Sequence, residues 1–129
     1  MIIYNAIRTP DGTVLQSKYG HDYVVYKDAN GFEYFVDGGT RYLRRGYTVG
    51  APPYMEISMY SENTSHENIR KYLSWGTRGK AGNLPLKYVP IEFLDTEHIK
   101  AILATQYQIS QELKQIFNNE LTYREQNDN

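Results

Sequence analysis

The chain has 129 residues, with 14 Lys and Arg against 15 Asp and Glu, a formal charge of −1 and no cysteine. That balance argues against the broad basic face needed to grip DNA or RNA, and the lack of cysteine excludes disulfides, a thiol nucleophile, thiolate zinc sites and redox chemistry by the polypeptide. No apolar run approaches the roughly 20 residues of a bilayer span and Met1-Ile2-Ile3-Tyr4-Asn5 lacks the basic flank of a signal peptide, so a soluble intracellular chain is expected, by length one domain or a small sheet unit joined to a helical unit.

The predicted fold class is α+β, with residues 1–60 β-rich and residues 61–129 mainly helical. Ile2 to Arg8 and Thr13 to Ser17 read as strands around Thr9-Pro10-Asp11-Gly12, where Pro presets φ and Gly accepts a positive one. A second hairpin follows, Asp22 to Lys27 and Phe32 to Val36, closed by Asp28-Ala29-Asn30-Gly31. Asp37-Gly38-Gly39-Thr40 is a tight corner leading into the basic, aromatic stretch Arg41-Tyr42-Leu43-Arg44-Arg45. Arg41, Arg44 and Arg45 read first as a solvated edge whose charges discourage sheet aggregation, and otherwise as a second anion site if neighbouring subunits bring copies together. Thr48 to Pro53 reads as a linker and Tyr54 to Tyr60 as one more strand.

In the second half, Thr64-Ser65-His66-Glu67 matches a capping box, and Ile69, Tyr72 and Leu73 predict a helix that Gly76 stops, leaving Trp75 at its end. Leu84 to Val89 is extended and closed by Pro90. Asp95 or Thr96 caps the next helix, with the stripe Ile99, Ile102 and Leu103. Ser110 caps the last, with the stripe Leu113, Ile116, Phe117 and Leu121. These stripes are expected to be core, and Glu125 to Asn129 to fray. The 13 tyrosines, against 4 Phe and 1 Trp, suit either an oligomer interface or a sheet with one wet face.

The segment most suggestive of chemistry is Trp75-Gly76-Thr77-Arg78-Gly79-Lys80-Ala81-Gly82-Asn83. Its glycines allow several backbone N–H groups to converge on an anion, Arg78 and Lys80 add charge, and Trp75 or Tyr72 offers a face for a purine. The same composition also serves as an ordinary solvated connection. It is not a P-loop, because Ala81 follows Lys80 where a Ser or Thr would hold magnesium. His21, His66 and His98 fall in three different elements without metal-ligand spacing, no G-x-S-x-G elbow occurs, and Glu33 with Asp37 has ordinary surface spacing. No catalytic residue, metal or cofactor is therefore predicted.

Taken together, Tyr4-Asn5-Ala6-Ile7-Arg8-Thr9-Pro10-Asp11-Gly12-Thr13, His21-Asp22-Tyr23, Val36-Asp37-Gly38-Gly39, Tyr42-Leu43-Arg44-Arg45, His66-Glu67 with Ile69-Arg70, Trp75-Gly76-Thr77, Pro85-Leu86, and Glu120-Leu121 with Tyr123-Arg124 resemble the phage-encoded Thoeris anti-defence sponges of the first type. The resemblance spans nearly the whole chain. It implies a non-enzymatic protein in the cytoplasm of an infected bacterial host that sequesters glycocyclic ADP-ribose, the signal of TIR-domain immune enzymes, without cleaving it. It also implies a homo-oligomer, a dimer or a hexamer built as a trimer of dimers; some members hold cyclic di- or trinucleotides at a separate site, which leaves this chain either capacity or both. No polymeric nucleic acid and no membrane enters as a partner. On this reading Arg78, Lys80 and Arg124 meet phosphate, Trp75 or Tyr72 the base and Asn83 a polar edge. Some relatives carry cysteine pairs near the two hairpin turns, as a zinc knuckle would; here turn chemistry must do that work. The rival readings are a phosphodiesterase or ADP-ribose hydrolase using His21, Asp22 or Asp37, and a module that binds a host protein through its tyrosines and helical stripes.

Overall fold

In the computed structural model, which describes residues 1–127, the two N-terminal turns are organised by aspartates. Asp11 Oδ1 accepts from the Thr13 N–H at 3.0 Å and Gly12 sits at φ +90°. Asp28 Oδ1 accepts from the N–H groups of Asn30 and Phe32, both at 2.9 Å, and Gly31 sits at φ +85°. A carboxylate that accepts from the backbone donors of its own turn fixes that turn with neighbouring residues alone. Hydrogen bonds from the Thr9 hydroxyl, then from Tyr26 and Thr13, hold the Asp11 carboxyl well below the usual carboxylate range. The Tyr26 bond, 2.6 Å to Oδ2, also ties the first turn to the second hairpin.

The chain divides into two compact units, Met1–Thr64 and Ser65–Asn129. In the first, β1 (Ile2–Arg8) pairs antiparallel with β2 (Val14–Ser17), and β3 (Val24–Lys27), β4 (Glu33–Asp37) and β5 (Arg44–Tyr47) form a three-stranded antiparallel sheet. The strand expected over Tyr54 to Tyr60 is instead two short pieces, β6 (Met55–Glu56) and β7 (Met59–Tyr60), both on β1. Between them the Ser58 hydroxyl lies on the backbone of Ala6, 3.1 Å from its N–H and 3.3 Å from its carbonyl, so a side chain interrupts the ladder.

Alternation along β1, β2 and β4 buries Ile7, Leu15, Tyr34 and Val36 in one cluster. Ala51 belongs to that cluster, the Tyr34 hydroxyl donates to the Pro52 carbonyl at 2.7 Å, and the Thr48 N–H donates to Glu33 at 2.9 Å. Thr48 to Pro53 is therefore a tight return within the first unit and no linker; the division falls at Thr64–Ser65.

The second unit runs α1 (His66–Tyr72), β8 (Ser74–Thr77), β9 (Lys87–Pro90), a 3₁₀ turn over Ile91–Phe93, α2 (Thr96–Thr105) and α3 (Gln111–Asn127). Several details differ from expectation, among them β9, which starts at Lys87 and includes Pro90. Ser65, not Thr64, is the N-cap of α1, accepting from the Asn68 N–H. The helix ends at Tyr72: Leu73 turns to φ −82°, ψ 125° and closes the last turn on Ile69. Trp75 then lies in a strand, because Trp and Thr at alternate positions pair with Val89 and Lys87 more favourably than a helix carries the following Gly76. The polar end of the chain holds its helix to Asn127, with Asn127 Nδ2 donating to the Tyr123 carbonyl at 2.8 Å; residues 128 and 129 lie outside the described residues. The helical stripes supply core as expected, with Ile99, Ile102, Ile116 and Phe117 buried alongside Ile69, Leu73, Ile91 and Leu94. Among the described residues no helix is long and apolar enough to cross a membrane.

Candidate functional site

The glycine-rich segment is the loop of the β8–β9 hairpin, shaped by its own backbone. The Gly79 N–H donates to Thr77 Oγ1 at 3.1 Å, the Gly82 N–H to the Gly79 carbonyl at 3.1 Å, and the Leu84 N–H to the Arg78 carbonyl at 3.0 Å. Gly79 has φ +82°, and a Cβ there would stand 2.7 Å from Leu84 Cδ1. The loop is thus folded back on itself.

On one side it faces α2 across a groove of about 560 Å³, within the size range of small-molecule sites. Trp75, Arg78 and Lys80 line it from the hairpin; Glu97, His98, Ala101, Ile102, Thr105 and Gln106 line it from α2. The indole packs edge-on against buried Phe117, with centroids 5.5 Å apart. Among the described residues neither Arg78 nor Lys80 has an acidic partner, so both cations are available to an anion.

Tyr72, Asn83 and Arg124 are not on the walls of this groove. Tyr72 ends α1, and Asn83 sits exposed at the loop tip, carried away by the Arg78–Leu84 closure. Arg124 is taken up by a buried ion cluster. Glu120 is wholly buried, yet its Oε1 accepts from Arg70 Nε at 2.8 Å and from His66 Nε2 at 2.9 Å, and its Oε2 from Arg124 Nε at 2.7 Å and Arg70 Nη2 at 2.9 Å. Arg124 also donates to Thr96 Oγ1 at 2.9 Å and to the Ile91 carbonyl at 3.0 Å. Burial works to raise the Glu120 pKa, but the hydrogen bonds from Arg70, then Arg124 and His66, outweigh it and hold the carboxyl down at about 2. The bond to Glu120 raises the Arg70 pKa in turn, and its guanidinium lies 4.4 Å from the centre of the Tyr123 ring. The pairs His66/Arg70 and Glu120/Arg124, each one helical turn apart, were the signal in the sequence that would have found this cluster.

The second candidate anion site separates into unlike parts. Arg45 is mostly buried: it bonds to Glu56 and to Asn5 Oδ1, and lies 3.4 Å from the Ser58 hydroxyl. Burial lowers its pKa. It is a structural cation. Arg44 is 63% exposed, with Asp37 Oδ2 at 3.3 Å and the Phe35 ring beneath it at 5.5 Å, and Arg41 is exposed and lies across Gly20, where a Cβ would stand 2.6 Å from its Cδ.

Of the acid–base candidates, Asp22 spends Oδ2 on the Lys18 N–H at 2.8 Å. The Tyr42 hydroxyl, by contrast, lies 3.0 Å from His21 Nδ1 and 3.4 Å from Asp37 Oδ2, and Asp37 is buried rather than a surface carboxylate. No group of His, Asp and Glu among the described residues has the arrangement of a metal site.

These features define an α+β chain with a small-molecule-sized groove bounded by a cationic glycine loop and a helix. Neither the known family models nor the curated proteins nor the solved structures contain a match to it.

Proposed function

We propose that this protein binds and sequesters, without cleaving, a cyclic nucleotide immune signal, with glycocyclic ADP-ribose as the first candidate, and so acts as a phage anti-defence sponge in the cytoplasm of an infected bacterial host. The observation that carries this reading is the pair Arg78 and Lys80, uncommitted to any acid among the described residues, on the same groove as Trp75. Two unpaired cations suit a diphosphate, and an indole in the wall suits an adenine. A sponge needs affinity and burial rather than in-line attack, and those groups supply them. The resemblance to Thoeris anti-defence sponges adds the homo-oligomer, dimer or hexamer, and a separate site for cyclic di- or trinucleotides, for which Arg41 and Arg44 are the exposed cations. Isothermal titration with glycocyclic ADP-ribose, followed by denaturation and chromatography of the released ligand, tests the reading. Tight binding with intact ligand is expected; no heat, or a cleaved ligand, overturns it.

One observation favours a second reading, a hydrolase of the same signals. His21 holds φ +67°, a conformation disfavoured for a non-glycine residue, and shares the Tyr42 hydroxyl with Asp37. Ligand returned as a linear product, and spared by His21→Ala, is the outcome that selects this reading.

A further inference from the structure

The two walls of the groove carry opposite charge and do not neutralise each other. Glu97 lines the α2 side and Arg78 and Lys80 the loop side, yet among the described residues no ion pair joins them. The carboxylate's nearest cation is Lys100 on its own helix, at 3.5 Å, with side chains 81% and 58% exposed. So solvated a pair holds its members weakly, which leaves Glu97 able to accept hydrogen bonds from a ligand. Glu97, Ala101 and Thr105 recur every fourth residue and so form one face of α2, and the small Ala101 keeps that wall low between its polar ends.

We propose that this polarity orients the ligand: the groove takes a ribose 5′-diphosphate unit whose sugar keeps its cis-diol, with the phosphates toward Arg78 and Lys80 and the diol on Glu97. This rests on the sponge reading and adds to it a residue and a ligand feature. The chemistry is one-directional. An ionised carboxylate has only acceptors, so it repels phosphate and cannot serve as an alternative anchor for it. Its two oxygens match the two adjacent hydroxyls of a cis-diol, whereas Arg78 and Lys80 have only donors and match the phosphate oxygens. A ligand entering the other way would set phosphate against carboxylate and leave the cations facing hydroxyls.

Trp75 is the sole tryptophan of the chain, so its fluorescence reports on this groove; calorimetry run in parallel covers ligands that leave the indole unquenched. The probes are ADP, 2′,3′-dideoxy-ADP and inorganic pyrophosphate, against the full chain and its Glu97→Gln and Arg78→Glu variants. The wild type is expected to bind ADP about five- to tenfold more tightly than dideoxy-ADP. Glu97→Gln should abolish that preference by weakening ADP alone, and should bind pyrophosphate more tightly than the wild type does. Arg78→Glu should weaken all three. Equal wild-type affinity for the two nucleotides, or a preference that survives Glu97→Gln, overturns the role of Glu97 while leaving sequestration standing. No response to any probe in either measurement, together with no heat from glycocyclic ADP-ribose, overturns both.

Discussion

Arg124 Nε donates to Glu120 Oε2 at 2.7 Å from one turn further along α3, and Glu120 is wholly buried. The last cation of the chain is therefore spent on holding the helices of the second unit, through Arg70 and His66 of α1 on the same carboxylate. A buried charge is tolerable only while every neighbour stays in place, and removing one partner of such a cluster typically costs about 3–5 kcal/mol. Arg124→Ala and Glu120→Ala should each destabilise the second unit on that scale, read as a lower midpoint in urea unfolding. Arg124→Ala with an unchanged midpoint and lost ligand binding would return this arginine to the phosphate.

The same cluster sets an acid limit. The Glu120 carboxyl has its pKa depressed in the folded chain, to about 2 from its ordinary 4.5, so the folded state binds its proton less readily than the unfolded one. Its contribution is fully present above about pH 4.5 and is lost as pH falls from there toward 2. Trp75, packed on Phe117, should report cooperative loosening of the second unit across that window. Glu120→Gln should show a shallower dependence on pH over the same range.

The Asp37-Gly38-Gly39 corner is steric in origin. Gly39 has φ +52°, and a Cβ there would lie 2.3 Å from the backbone of Tyr19; at Gly38 one would lie 1.9 Å from the Tyr42 carbonyl oxygen. Gly12 also has a positive φ, with nothing within 4 Å. Gly12→Ala should cost about 1–2 kcal/mol, the conformational term alone. Gly39→Ala should cost well beyond that, measured as the difference in unfolding free energy between the two variants.

Charge reversal will separate two adjacent arginines. Arg45→Glu places a carboxylate beside Glu56 and Asn5 in a mostly buried site and should lower the melting temperature sharply. Arg44→Glu changes an exposed side chain and should alter it little, since exposed pairs are worth about 1 kcal/mol or less. If cyclic oligonucleotides bind near this edge, Arg44→Glu should weaken them and spare glycocyclic ADP-ribose.

Within the groove, Arg78→Glu and Trp75→Ala should each weaken binding of glycocyclic ADP-ribose, by roughly tenfold or more for loss of a charged contact. Arg78→Glu should leave the melting temperature close to that of the wild type, because the side chain is exposed. Trp75→Ala should lower it as well, because the indole packs against Phe117. Unchanged affinity in both variants would remove the glycine loop from the binding site.

Local chemistry made much of the fold legible. Turns closed by Asp11-Gly12 and Asp28-Ala29-Asn30-Gly31 need only neighbouring residues to form, and the strands on either side lie where alternation put them. The apolar stripes of α2 and α3 were readable for the same reason, since periodicity is a property of a short segment. Trp75 is misplaced by local pattern because Ile69, Tyr72 and Leu73 keep helical spacing with no stop signal before Gly76; its strand becomes visible only through the pairing with Val89, fourteen residues away in the chain. The break at Ser58 is not legible in the local sequence because it depends on the Ala6 backbone.

The sequence by itself therefore determined the α+β class, the hairpin turns, the helical core faces and the presence of a cationic glycine loop, because each follows from steric or periodic constraints within a few residues. Only the tertiary structure decided which cations are free. Arg78 and Lys80 remain available beside Trp75, while Arg124 and Arg45 are consumed by Glu120 and Glu56. The physical reason is that a guanidinium looks the same in sequence whether it faces solvent or a buried carboxylate, and the distance to that carboxylate is set by how elements far apart in the chain pack together.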